Sequence, residues 1–320
     1  MKGGRGMIAV LSIDGGGIRG IIPATFLVEI ERRTGKPVCR LFDLVAGTST
    51  GGILAAALSV PDAKRRPKYT AETIRKAYFE HGGKIFQKNV LRTVTTLGGL
   101  TRPIYSPRAL EEMLTLYLGD ARLHETLTEI LVPAYDMTTS TPWFFKTSHA
   151  KRSRTKLNDP LLTQVVQATA AAPTYFPPLV LEGHCLFDGG VFASNPALCA
   201  YAQARNMYPD EKEIFVVSLG TGTENHSRPC AEVYNWGIAS WAVPISGVML
   251  NSSSATVDYQ MRALLGRANY ARFQMKLPDA AAPMDDASPE NLARLDMIAK
   301  QAVKDSNMAL DRVCERIMRK

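Results

Sequence analysis

Apolar residues fall into short dense runs separated by longer stretches of helical spacing. Met7–Ile13, Leu44–Ala46 and Ile214–Leu219 are nearly free of polar residues, so each predicts a strand buried on both faces. Glu129–Tyr135 and Trp143–Lys146 predict two strands joined by a polar Thr/Ser turn. Val180–Phe187 predicts another, and Asn269–Leu277 a late one. Phe26, Leu27 and Ile30 share one helical face, Pro23 suits that helix's first turn, and Gly35 ends it. Ile53–Leu58 predicts a buried helix of small residues. Further helices are predicted at Thr70–Glu80, after Ser106-Pro107, at Pro160–Ala172 and at Asn195–Asn206. Residues 232–268 read as helical in parts, with a break at Asn251–Ser254. Ser288–Lys320 reads as one long amphipathic helix or an interrupted one, with Leu292, Leu295, Ala299, Ala302 and Val303 on one face. Residues 61–69 and 81–105 read as loops, the second as a lid. Strands alternating with helices predict an α/β fold, a mainly parallel central sheet with helices on both faces.

Composition narrows the class. The chain has 320 residues, 46% hydrophobic and 21% charged, which supports a globular protein with a full core. We expect a single domain over 1–320, with 223–320 as its mostly helical and conceivably regulatory C-terminal part. Five scattered cysteines without a C-x-x-C pair predict reduced thiols and no zinc site. No other metal-ligand cluster is visible, so no metal and no cofactor are expected. No apolar run approaches the ~18 residues that span a bilayer. The basic start, Met1 to Gly6, is followed by too short an apolar run and no cleavage site, so a cytoplasmic protein is expected.

The formal charge is +8 and is unevenly placed. Residues 61–110 carry eleven basic side chains against three acidic ones, an excess equal to that of the whole chain. Such a stretch is either a solvated face or an attractor for anionic membrane or anionic ligands. Lys84, Lys88 and Arg92 are its candidate contacts, and peripheral attachment at the inner membrane face is the expected consequence. Nucleic acid is not expected as a partner.

The candidate chemistry lies at the ends of the first two strands. Gly47-Thr-Ser-Thr-Gly51 is a G-x-S-x-G turn between a predicted strand and a predicted helix. That context holds a nucleophilic Ser49 in a strained backbone, with Gly47 and Gly51 letting the chain close around it. The other loop, Asp14-Gly-Gly-Gly-Ile-Arg-Gly20, also fits a dinucleotide fingerprint, Gly15-x-Gly17-x-x-Gly20. That reading needs an acidic residue at the end of the second strand, where this chain has Gly47 and Ser49. The two loops instead share one sheet edge. The N–H groups of Gly15, Gly16 and Gly17 are then oxyanion donors for the carbonyl that Ser49 attacks. Arg19 adds positive charge or ties the loop down, and Asp14 braces it. Asp188, at the end of a strand and before Gly189-Gly190, is the candidate base. The order Ser49, Asp188, His226 keeps a hydrolase triad open beside it.

These motifs, in this order and with Ala171-Ala-Pro-Thr-Tyr-Phe176 before the last, resemble the patatin-like phospholipase family over roughly residues 7–222. The resemblance implies a three-layer α/β/α fold and a lipid acyl hydrolase of phospholipase A or lysophospholipase type. It implies a Ser49–Asp188 dyad rather than a triad, and the Gly15–Gly17 loop as oxyanion hole. The size is similar to that of bacterial members that act as nucleotide-activated antiphage phospholipases. A cyclic nucleotide is therefore carried as a candidate activator, and phospholipid as the substrate. A non-catalytic module gripping an anionic ligand with both glycine loops is the rival. Oligomeric state and positional specificity have no signature in the sequence.

Overall fold

The computed structural model describes residues 6–87, 103–224, 228–241, 244–281 and 283–320. An eight-stranded sheet forms its middle layer: β1 (Ile8–Ile13), β2 (Leu44–Gly47), β3 (Glu129–Asp136), β4 (Thr141–Lys146), β5 (Leu179–Leu181), β6 (His184–Asp188), β7 (Ile214–Leu219) and β8 (Tyr270–Phe273). The order is β5-β6-β3-β2-β1-β7-β8, with β4 on β3. β3, β2, β1, β7 and β8 run parallel, β4 and β6 pair antiparallel with β3, and β5 pairs antiparallel with β6.

Side chains alternate across the sheet, and the two faces bury different helices. Leu11, Ile13 and Val45 face a large core shared with α1 (Ile21–Thr34), α2 (Thr50–Ala57), α8 (Pro289–Asp305) and α9 (Asn307–Met318). Between α2 and α8 come α3 (Ala71–Ile85), α4 (Arg108–Leu118), α5 (Leu162–Ala170), α6 (Ala197–Met207) and α7 (Pro244–Asn269), one-turn helices aside. Ile8, Val10 and Leu44 face a smaller core closed by Ala197, Ala200 and Ala204 of α6 and by Met261 of α7. The α/β class, the mostly parallel sheet and its cover on both faces are as the sequence predicts.

Three local readings change. The run 180–187 is a hairpin of β5 and β6, because Glu182 (φ 47°) and Gly183 (φ 87°) turn the chain in left-handed conformations. Helix α3 continues past Glu80 to Ile85, since Gly82 packs against Ile18 and is kept by burial rather than by propensity. Lys88, Arg92 and the rest of 88–102 lie outside the described residues. The Ser-rich stretch 251–254 does not break α7. Ser252 bonds the Met249 carbonyl, Ser253 the Phe192 carbonyl and Ser254 the Asp14 carboxylate, so these hydroxyls are satisfied within or across the helix. The C-terminal helix is interrupted, the second of the two expected forms, and divides at Ser306.

The late strand β8 is fixed by a charge. Arg272 reaches past β7, donating to Ser218 Oγ at 2.8 Å and to both Asp14 carboxylate oxygens at 2.7 and 2.5 Å. Both side chains of the pair are buried. The contact ties β8 and β7 to the end of β1, where the glycine loop begins. Removing one partner of such a pair strands the other. Arg272→Met is expected to cost about 3–5 kcal/mol in urea unfolding at neutral pH. Asp14→Asn in the same chain should recover part of that loss, which a double-mutant cycle measures.

Candidate active site

β3 brings the two candidate catalytic strands together. β4 occupies one edge of β3 along Leu131–Asp136. β2 pairs with Glu129–Leu131 and β6 with Ala134–Asp136, so both lie on the opposite edge, end to end. β2 runs parallel to β3 and β6 antiparallel, so their C-terminal ends converge on the gap between Leu131 and Ala134. That gap is three residues, roughly 10 Å. Ser49 follows the end of β2, and Asp188 is the last residue of β6.

Ser49 sits at φ 54°, ψ −121°, a conformation that costs an L-residue energy. The surroundings impose it. A Cβ at Gly47 would strike the Gly51 carbonyl, and a Cβ at Gly51 would strike the Ile13 carbonyl at the end of β1. The elbow is therefore packed backbone to backbone, and only glycine fits on either side of Ser49. Its N–H donates to Thr169 Oγ1 of α5 at 3.0 Å. Its side chain faces the Asp188 carboxylate and helps to favour that group's ionised form.

Asp188 is buried, with its N–H on the Ala171 carbonyl at 3.1 Å and its Oδ1 accepting the Gly190 N–H at 2.6 Å. A side chain at Gly189 would meet the Pro133 carbonyl of β3, which explains the glycine after the aspartate. Burial pushes the Asp188 carboxyl up to about 6, against the Gly190 N–H and the Ser49 side chain, which hold it down. This desolvation answers how an aspartate can serve as a base near neutral pH.

The Asp14–Gly20 loop lies against the elbow, with Gly15 beside the Ser49 Cβ. Its three glycines do not play one part. The Gly15 N–H is spent on the Ser194 carbonyl at 2.9 Å, and Thr221 Oγ1 holds the Gly15 carbonyl at 2.7 Å. Among the described residues the Gly16 and Gly17 N–H groups meet no acceptor. Gly17 is left-handed at φ 58° and abuts the Met284 carbonyl, so no other residue fits. Arg19 is buried and paired with Glu224 Oε1 at 2.7 Å, so it fastens the loop to the segment after β7. Asp14 is the brace described above.

The histidines are elsewhere or otherwise engaged. His124 pairs with Asp159 and His184 with Asp136, each at 2.7 Å. Among the described histidines only His81 lines the cavity beside Ser49, with its ring edge-on to Tyr117. His226 lies outside the described residues. No group of three metal-binding side chains exists among the described residues.

Ser49, Asp188 and the Gly15–Gly17 loop open on one cavity of about 760 Å³, within the range of small-molecule sites. Ile53, Leu110, Met113, Leu114, Leu118 and Phe176, with Met249 and Leu250 of α7, line it, so the walls are mostly apolar. Sequence reasoning missed Thr169, Ser254 and Arg272. Only Arg272 left a trace, a lone charge inside a strand pattern between Tyr270 and Phe273.

The family model for patatin-like phospholipase matches residues 11–201. The chain belongs to this family. Patatin-like protein 2 of Oryza sativa subsp. indica is 36% identical over 97% of this chain and 85% of its own length. The potato protein "Probable inactive patatin-3-Kuras 1" is 33% identical over 94% of this chain and 87% of its own. The solved structure of VipD from Legionella pneumophila aligns with 94% of this chain and 67% of its own, at 13% identity and a TM-score of 0.42. The plant relatives do not bear on the bacterial subtype expected above. Family membership supports lipid acyl hydrolase activity in general and implies a lipid substrate.

The raised Asp188 carboxyl has a consequence for stability. Its folded value, about 6, exceeds the ordinary 3.8, so the folded state holds this proton more tightly than the unfolded chain. The contribution is therefore present below pH ~4 and lost as pH rises through about 6. Asp188→Asn, which cannot ionise, should be the more stable protein at pH 7 by up to about 3 kcal/mol, at 1.36 kcal/mol per unit. The two proteins should converge near pH 4, as read by denaturant unfolding at each pH.

Proposed function

We propose that this patatin-like protein hydrolyses fatty acyl esters of phospholipids by a Ser49–Asp188 dyad. The observation that carries the reading is a strained Ser49 beside a buried Asp188 whose carboxyl is raised to about 6, both lining one mostly apolar cavity. The acyl chain lies along the apolar wall, which leaves the ester carbonyl at Ser49. Ser49 Oγ attacks the carbonyl carbon as its proton passes to Asp188. The oxyanion is held by the Gly16 and Gly17 N–H groups, each worth roughly 3 kcal/mol. Collapse expels the alcohol portion of the lipid, which takes the proton from Asp188. Asp188 then draws a proton from water, the hydroxide attacks the acyl-serine, and the proton returns to Ser49 as the fatty acid leaves.

A relative whose name calls it inactive makes the nucleophile the point to test. Fluorophosphonate labelling and hydrolysis of a p-nitrophenyl acyl ester, both in excess chelator, are the measurements. Ser49→Ala should abolish both, and Asp188→Asn should reduce turnover at least 10³-fold, of the order of removing a general base. His81→Ala and His226→Ala should keep most turnover. Collapse in His226→Ala instead establishes the triad, and absence of labelling favours the anionic-ligand module. In the wild type kcat/KM should fall tenfold per pH unit below about pH 6, where Asp188 takes up its proton.

Peripheral attachment to anionic lipid remains part of the proposal. The last turns of α3 turn His81, Gly82, Ile85 and Phe86 to the cavity, while Lys84 is exposed. Much of the neighbouring charge is already paired: Arg66 with Asp62, Arg75 with Glu72 and Asp296, Arg108 with Glu112. Each remaining cation is worth about 1 kcal/mol at an anionic surface. Charge reversal at Lys84, Lys88 and Arg92 together should weaken binding to vesicles containing anionic lipid at low salt, and leave soluble-ester hydrolysis nearly unchanged. Indifference of vesicle binding to charge and salt removes this element. Activation by a cyclic nucleotide is not part of the proposal.

A further inference from the structure

The part of the cavity lining that comes from the start of α7 continues into a second, chemically different surface. From Val233 to Val257 the sequence contains no charged side chain. The run is bounded by ion-paired segments, Arg228 with Glu232 before it and Arg262 with Asp258 after it. Its large side chains are not buried. Ile238 is 93% exposed, Tyr234 83% and Met249 59%. Trp236 and Trp241 meet edge to face, 5.3 Å between ring centroids, and form a shallow apolar cup with Ile238 and Ile245.

Ile245 is the decisive position, because it lines both this cup and the cavity that holds Ser49. Met249, one helical turn on, is also part of the cavity wall while more than half exposed. An apolar surface thus runs without a charge from exposed Ile238 and Tyr234, past Ile245 and Met249, into the cavity. A solvated protein surface normally mixes charges into such a length, and a contiguous apolar patch marks an interaction site. No helix among the described residues is long and apolar enough to cross a membrane, so this segment does not span one. Tryptophan, tyrosine and isoleucine on a short charge-free segment suit the boundary between headgroups and acyl chains.

Resting on the reading of this site as a phospholipid acyl hydrolase, we propose that Tyr234, Trp236, Ile238, Trp241, Ile245 and Met249 form the surface by which the protein inserts shallowly into the lipid layer. The occupant follows from the continuity. An acyl chain that leaves a bilayer for Ser49 has to avoid water, and only a lipid surface pressed against the rim at Ile245 and Met249 gives it an unbroken apolar path. The attraction is apolar, so it is independent of lipid charge, unlike the contribution of Lys84.

The test uses the full chain with Ser49→Ala, so that lipid is not consumed, and vesicles of pure phosphatidylcholine at about 0.5 M salt, where the Debye length is only a few Å. Two of the three tryptophans lie in the segment, and Trp143→Phe removes the third signal. Binding should shift Trp236 and Trp241 fluorescence to the blue. Ile238→Asp, at a side chain with almost no protein neighbours, should lower vesicle affinity about tenfold or more. Tyr234→Ser should lower it less. In the Ser49-containing protein both substitutions should leave the melting temperature and soluble-ester turnover unchanged. An unshifted spectrum, or equal affinity in Ile238→Asp, overturns the proposal. So does a dimer seen by light scattering that Ile238→Asp dissociates, which assigns the patch to a second copy. A protein that binds neutral vesicles through this segment yet shows no esterase activity sustains the docking surface and refutes the hydrolase reading, so the two failures are distinguishable.

Discussion

Among the described residues Asp188 meets no counter-charge, and the energetic cost of burying it shapes the rest of the site. Desolvation makes its ionised form expensive, while the Gly190 N–H and the Ser49 side chain hold it only part of the way down. A base with a value near 6 is what the proposed Ser49–Asp188 dyad requires, but such a group destabilises the fold at neutral pH. The rest of the structure has to over-determine its position. β6 does so by pairing antiparallel with the end of β3, and Gly189 does so by fitting under the Pro133 carbonyl. The strain at Ser49 is held in the same manner, by glycines packed against the backbone of β1 and of its own helix. Two unfavourable local states are thus maintained by one rigid sheet.

Charges are paired where they would compete. Arg272 is absorbed by Asp14 and Arg19 by Glu224, both close to the glycine loop. Without those partners either arginine would lie near the pocket and stabilise ionised Asp188, lowering its basicity. The pairs also explain why a loop rich in glycine is ordered enough to present two backbone N–H groups. Its N-terminal end is fixed to β8 through Arg272, and its C-terminal end to the segment after β7 through Glu224.

The walls of the cavity divide the remaining tasks. α4 and α5 supply apolar side chains beside Ser49, α3 adds an exposed cation on its outer face, and the start of α7 gives an uncharged rim. The segments 61–110, with the basic excess, and 233–257, without charge, both contribute residues to the lining of the same cavity. In the proposed membrane contact, long-range attraction and short-range apolar contact therefore come from different parts of the chain.

Much of this was legible in the residues. Dense apolar runs rich in β-branched residues read as strands covered on both sides, so the parallel sheet and its helical layers followed from the pattern. The G-x-S-x-G turn carries its own steric reason, which holds at Gly47 and Gly51, whereas the reason for Gly189, the Pro133 carbonyl, came only with the packed sheet. Other features were decided by contacts distant in sequence. Whether Gly15 keeps a free N–H depended on Ser194, and whether 251–254 breaks a helix depended on partners for three hydroxyls. The brace Asp14–Arg272 joins residues 258 positions apart. Local pattern reports what a segment prefers in isolation. It cannot report which buried donor meets which acceptor, nor how much water a carboxylate loses, because those are properties of the packed neighbours. The sequence therefore determined the elements and the candidate chemistry, and the tertiary structure decided the protonation of Asp188, the division of labour among the glycines and the apolar path to Ser49.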